Sequence, residues 1–304
     1  ICDTDTDVVD RLPNKEISFY PKIEDLLSAT TADVICICTP NYLHAEHAIA
    51  ALDVGKHVVV EKPMAMSVAE CDAMIAAADR NHKVIFAVKQ NRYNPPVAAV
   101  KELIASGRLG KIYMMQVNCF WNRSDNYYAQ SEWRGRKEKD GGCLFTQFSH
   151  FIDIMYWVFG DIKNISARFN DFNHQDTTEF EDSGLVHFDF VKGGCGSLNY
   201  STSVWDKNME SSISVIGEKG SIKIGGQYMN EVEYCHIQDY DLPELESTLP
   251  PNDYGKYQGS AANHQFVIQN VVDALSKNER ATTNALEGMK VVEIIENIYK
   301  LKEN

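Results

Sequence analysis

The 304 residues include 43 acidic and 29 basic side chains, a formal net charge of −14 that argues against nucleic acid or an anionic membrane surface as a partner. No apolar run reaches the roughly 18 residues that a membrane-crossing helix needs. The eight cysteines are scattered with no CxxC pair, so no disulfide framework and no metal site is expected, and the thiols read as buried in a reducing, cytoplasmic compartment.

The chain opens on ICDTDTD, which has the look of a strand end finishing in an acid. An acid at the end of the second strand of a dinucleotide-binding fold bonds the adenosine ribose hydroxyls and selects NAD over NADP, which makes Asp3 the candidate. No GxGxxG precedes a helix anywhere, so the first strand and glycine-rich turn read as missing from the start of the chain. Next comes a short apolar strand, Asp33 to Cys38, and a helical pattern, LHAEHAIAALDVG, closed by Gly55. HVVV, His57 to Val60, reads as a strand buried on both faces. SVAECDAMIAAADRN reads as a helix opened by a Ser67/Glu70 capping box, and Lys83 to Lys89 as a third strand. This alternation predicts right-handed crossovers and a doubly wound parallel sheet in residues 1–93.

From Asn94 the pattern changes. One helix, PVAAVKELIASG, precedes six strand-like segments: Lys111 to Trp121, Ile162 to Phe169, Leu185 to Val191, Gly196 to Val204, Ser211 to Ile216 and Glu231 to Gln238. Helices over Asn263 to Ser276 and Leu286 to Lys300 close the chain. Residues 94–304 therefore read as an α+β domain on an antiparallel or mixed sheet, whose uncovered face calls for a second copy of the chain, as a dimer or tetramer.

Ligands of a doubly wound sheet lie beyond the carboxyl ends of its strands. CTPNYLH, EKP and KQNRYNP follow the three strands, which gathers Thr39, Asn41, His44, Glu61, Lys62, Gln90 and Arg92 on one edge. A second signal is DGGCLFTQFSHFIDIMYWVFG. Leu144, Phe148, Phe151, Ile152, Met155 and Phe159 form one helical stripe, and Thr146, His150 and Asp153 fall opposite them. A histidine oriented by a carboxylate three residues on suits a general base. The loop ahead of it packs Arg134, Arg136, Lys137 and Lys139 before a helix start, a candidate anion site.

CTPNYLH, EKP, QNRYNP, WRGRKEKDGG and the HxxD at His150 to Asp153 together resemble the Gfo/Idh/MocA oxidoreductase family over essentially the whole chain. The resemblance implies an NAD(P)-dependent oxidoreductase of a sugar or cyclitol, with NAD the expected cofactor over NADP, and a Rossmann domain followed by a large open-faced, mainly antiparallel sheet that forms the oligomer interface. Carried onto this chain, it implies Thr39, Pro40, Asn41, His44, Glu61, Gln90 and Asp3 as cofactor contacts. Lys62 becomes the lysine at substrate and nicotinamide, and His150 the acid/base. Arg92, Tyr93, Arg134, Thr146 and Asp153 fall on the substrate side. Many members carry an aspartate four residues before that histidine; here the position is Thr146, which removes one carboxylate from a Lys-Asp-His arrangement. FWNRSDNYYAQSEWRGRKEKDGG and YGKYQGSAANHQ further resemble the branch of UDP-N-acetylglucosaminuronate 3-dehydrogenases from surface-polysaccharide pathways. The alternative is a regulatory protein on the same scaffold that senses cofactor or sugar without turnover.

Overall fold

The computed structural model describes residues 1–12, 14, 16–255, 257–277 and 279–302. Three parallel strands, β1 (Val34–Ile37), β2 (His57–Val60) and β3 (Ile85–Ala87), make the first sheet in the order β1-β2-β3. Val58, Val59 and Val60 are all buried, as the unbroken valine run predicts for a central parallel strand. Helices His44–Asp53 and Val68–Arg80 carry the crossovers. The capping box at the second of these forms: Ser67 Oγ accepts the Glu70 N–H at 3.2 Å, and Glu70 reaches back to the Met66 N–H at 2.8 Å. The opening acid segment contributes a single parallel bridge, Cys2 to Tyr20.

The second sheet has seven strands: β4 (Ile112–Phe120), β5 (Ile162–Asn170), β6 (Ser183–Phe190), β7 (Cys195–Ser201), β8 (Glu210–Gly217), β9 (Gly220–Gly225) and β10 (Glu231–Ile237). Their order is β10-β9-β8-β4-β7-β6-β5, antiparallel throughout except for β4 beside β7. The architecture is thus a parallel Rossmann-type sheet followed by a large mixed one. β9 is the strand the sequence reading lacks, because only Ile222 and Ile224 alternate between its glycines. One face of this sheet packs on helix Ser149–Phe159; the other leaves Met114, Leu185, Ile216 and Tyr234 exposed.

The chain does not stay in the second half. Helix His264–Lys277 returns to the parallel sheet, where Val267 and Val271 cover Val59, Phe86 and Val88. Thr283 O accepts the Ala87 N–H at 3.3 Å, and helix Ala285–Tyr299 then lies against β3 and against helix Ser149–Phe159. The cysteines differ from expectation: Cys71, Cys119 and Cys143 are buried, but Cys36, Cys38 and Cys195 are exposed, since β1 and β7 turn alternate residues outward. Among the described residues no helix is long and apolar enough to cross a membrane.

The approach of helix Ala285–Tyr299 depends on Gly288, where an added Cβ would meet Met64 Sδ at 2.7 Å and Ala87 Cβ at 3.1 Å. Gly288→Ala is therefore expected to destabilise the fold by about 1–3 kcal/mol through overpacking. Urea unfolding measures this, and an unchanged midpoint would show that the contact yields.

Candidate active site

The three strand ends converge on one cavity of about 240 Å³. Thr39, Asn41 and His44 reach it from the turn after β1, Glu61 and Lys62 from the end of β2, and Gln90 from beyond β3. The opposite wall comes from the second half, with Arg123 after β4, Arg134 in the loop before the glycines, and Thr146 and His150. Lys62 and His150 come from different halves of the chain; the fold sets them around the same space.

His44 fixes the first wall. Its Nδ1 lies 2.6 Å from Pro63 O and its Nε2 2.7 Å from Thr39 O, which ties the β1 turn to the Glu61-Lys62-Pro63 turn. Burial lowers its pKa below the usual histidine value. Each nitrogen faces a carbonyl oxygen, to one of which the neutral ring donates its single N–H, and His44 thereby steadies the turns that carry Thr39 and Lys62. The Lys62–Pro63 peptide is cis. Lys62 Nζ donates to Thr146 O at 2.6 Å, the most direct link between the two halves at the site. Burial is the main cause that brings its pKa down, to about 8, with Arg123 and Lys89 adding to the effect and Glu61 and Asp140 opposing it.

His150 is buried, and its Nε2 lies 3.4 Å from Ser260 Oγ, which also accepts from Gln90 Nε2 at 3.3 Å. Burial first, then Lys62, Lys89 and His264, push its pKa well below the usual value, so the imidazole is neutral and able to accept a proton. Asp153 does not orient it. The carboxylate receives Arg92 Nε at 2.8 Å and Nη2 at 2.6 Å, with Lys89 Nζ at 3.5 Å, and Arg92 also reaches Glu287. Burial alone would raise the Asp153 carboxyl, but Lys89 and Arg92 hold it below the usual carboxylate range. Arg92 and Asp153 are thus one buried ion cluster behind the cavity wall. Tyr93 turns the other way, bonding Thr282 Oγ1 at 2.7 Å and stacking on Phe266.

The expected single helix is broken. Cys143–Thr146 and Ser149–Phe159 are separate, with Phe148 at φ −108° and ψ 1° between them. The polar side is not solvated, since Thr146, His150 and Asp153 are all buried. The basic loop divides as well. Arg134 turns inward over the Tyr127 ring at 4.4 Å, while Arg136 pairs with Glu179 at 3.1 Å. Glu179 also takes the Lys137 N–H at 2.9 Å, so that helix start already has its own carboxylate. Asp3 is exposed, accepts the Asp5 N–H at 2.9 Å and does not line the cavity; nor does Pro40.

Several lining residues escaped the sequence reading. Arg123 is buried 4.8 Å above the Trp121 ring and near Tyr127 and Tyr257. Among the described residues neither cavity guanidinium is ion-paired. Arg123 donates to Gln147 Oε1 at 2.7 Å and Asn122 O at 2.6 Å, and Arg134 Nε is buried without a partner. The available signal was WNRSDNYY, an arginine flanked by aromatics immediately after a strand. His264, 3.3 Å from Glu61, and Ser260 come from the returning segment, which no local pattern places here.

A dinucleotide fits this edge on one structural ground: Gln90 Oε1 is buried and unpartnered at the end of β3, beside Thr39 and Glu61. Residues 2–89 match the model of the oxidoreductase family with an NAD-binding Rossmann fold, and residues 97–223 match the GFO/IDH/MocA C-terminal domain. The WlbA dehydrogenase of Bordetella pertussis, solved with NADH and UDP-GlcNAcA, is similar at 30% identity and a TM-score of 0.86, over 99% of this chain and 87% of that one. An uncharacterised oxidoreductase of Synechocystis is 28% identical over 89% of this chain and 77% of its own length. A 1-carboxy-3-chloro-3,4-dihydroxycyclohexa-1,5-diene dehydrogenase of Comamonas testosteroni is 32% identical over 59% of this chain, which matches only 44% of that relative.

Removing the centre of the ion cluster leaves two buried cations facing each other. Asp153→Ala is expected to cost about 3–5 kcal/mol in denaturant unfolding, whereas a loss below about 1 kcal/mol would show that Glu287 alone satisfies Arg92.

Proposed function

The chain belongs to the Gfo/Idh/MocA family of oxidoreductases with an NAD-binding Rossmann domain, and from that premise we propose that it oxidises a secondary alcohol on a sugar or nucleotide-sugar ring, with Lys62 and His150 as its catalytic pair. The observation that supports this most is the cavity itself, which both side chains line, one from each half of the chain. Bound NAD would supply the hydride acceptor, held by Thr39, Glu61 and Gln90 at the strand ends.

The protein's own residues divide the remaining work. Neutral His150 takes the hydroxyl proton on its imidazole. The Lys62 ammonium donates a hydrogen bond to the same oxygen and stabilises the negative charge that grows there as the alcohol is oxidised. The rings of Trp121, Tyr127 and Tyr257 line the cavity and carry Arg123 and Arg134 over their faces. Two guanidiniums without carboxylate partners among the described residues, Arg123 and Arg134, favour a substrate that brings its own negative charge. A UDP-linked sugar acid, the class named for the Bordetella relative, meets this requirement, and a 3-dehydrogenase role in surface-polysaccharide synthesis is the finer form of the proposal. The exposed Met114, Leu185, Ile216 and Tyr234 support self-association through the large sheet.

Lys62→Ala and His150→Ala are each expected to lower turnover of such a sugar by about 100-fold or more, read as nicotinamide absorbance. Near-normal rates in either variant would remove that residue from the chemistry. Binding of NAD with no turnover of any sugar would instead favour a sensing role.

The pH profile is a separate check. Turnover should fall as pH drops below the depressed His150 value, because the base becomes protonated. It should fall again as pH rises through about 8, where Lys62 loses the proton it donates. An alkaline limb that persists in Lys62→Ala would mean that another group titrates there.

A further inference from the structure

Asp140 is almost fully buried and does not itself line the cavity, yet two hydrogen bonds through Thr146 connect it to the catalytic lysine. One carboxylate oxygen takes the Gly135 N–H at 2.8 Å, and the other takes the Thr146 hydroxyl in a short bond. The Thr146 carbonyl in turn accepts Lys62 Nζ at 2.6 Å. Asn41 Nδ2, from the β1 turn, closes the unit by donating to Asp140 O at 2.8 Å and Thr146 Oγ1 at 2.9 Å.

This wiring matters because of where Thr146 sits. It ends the short helix Cys143–Thr146, directly before the break at Gln147 and Phe148, so regular helix bonds do not continue through it to aim its carbonyl. Its side chain is held instead by Asp140. Two carboxylates act on Lys62, Glu61 most strongly and Asp140 after it. Glu61, on the same turn, also lies 3.3 Å from His264. Arg123 after β4, Lys89 after β3 and the buried His150 and His44 supply only cationic or neutral groups. Asp140, itself faced by Arg134, Lys62, Tyr127, Tyr128 and Cys143, is the buried carboxylate that reaches Lys62 from the second half of the chain.

We propose that Asp140 is a positioning residue for catalysis, which aims the Thr146 carbonyl at Lys62 and adds its negative charge to that of Glu61 beside the ammonium. The inference rests on the assignment of Lys62 to the chemistry. Burial pushes the Asp140 carboxyl up to about 6 against the pull of Thr146, Gly135, Arg134 and Lys62, so it is ionised at neutral pH and loses its charge in mild acid.

The test compares Asp140→Asn, Thr146→Val and Thr146→Ser with the unaltered protein by two readouts. The first is the pH dependence of Lys62 acylation by acetic anhydride, followed by mass spectrometry, which needs no turnover. The second is the pH profile of sugar oxidation. Asp140→Asn should move the Lys62 titration and the alkaline limb of turnover about one pH unit lower, and lower kcat about 10-fold, with NADH affinity unchanged. Thr146→Val should lower kcat similarly, and Thr146→Ser, which keeps the hydroxyl, should restore it. A Lys62 titration unmoved in Asp140→Asn, or Thr146→Val as active as Thr146→Ser, would overturn the proposal and leave Asp140 as an anchor of its own loop. A shifted titration in a protein that oxidises no sugar would sustain the positioning and refute the dehydrogenase assignment instead.

Discussion

The hydrogen bond from Lys62 Nζ to the Thr146 carbonyl, 2.6 Å long, joins the parallel sheet to the second half of the chain at the point where chemistry is expected. An ammonium in this position is disfavoured by burial and by Arg123 and Lys89, so it persists only with an acceptor fixed in front of it. Much of the surrounding structure meets that condition. His44 holds the turn that bears Lys62, while Asn41, Asp140 and Gly135 hold the residue that receives it. A lysine kept protonated but close to release is a better donor to a developing oxyanion than one solvated in bulk water.

Behind this contact lies a second, larger constraint. Asp153, Arg92, Lys89 and Glu287 form an ion cluster in which most side chains are almost fully buried. Such clusters add little net stability compared with apolar packing, but each member is costly to leave alone, so they specify one arrangement sharply. Here the arrangement docks helix Ser149–Phe159 onto the residues following β3, which sets the depth at which His150 meets the cavity. The helix bearing His150 is thus positioned by charge on one side and by Phe148, Phe151 and Met155 in the core on the other.

Much of the site could be read from the sequence because two physical rules act over short distances. Parallel strands present their carboxyl ends on one edge, which placed Thr39, Asn41, His44, Glu61, Lys62 and Gln90 together. Helical periodicity identified Thr146 and His150 on a common side. Partner choice was not legible, because it depends on contacts far apart in sequence. Asp153 looked like the orienter of His150 three residues away, but the stronger electrostatic partner, Arg92, lies 61 positions distant. Arg123, Ser260 and His264 were hidden for the same reason, and helix His264–Lys277 gives no local sign that it covers the first sheet. The helix break at Gln147 and Phe148 likewise falls in a stretch whose apolar spacing looks continuous.

The most direct measurement is a crystal structure of the protein with NADH and a UDP-linked sugar acid. The account predicts the ring in this cavity, with one hydroxyl oxygen within roughly 2.6–3.2 Å of both Lys62 Nζ and His150 Nε2 and the acid group against Arg123 or Arg134. A ring bound elsewhere, or bound here with its hydroxyls turned away from both side chains, would contradict it.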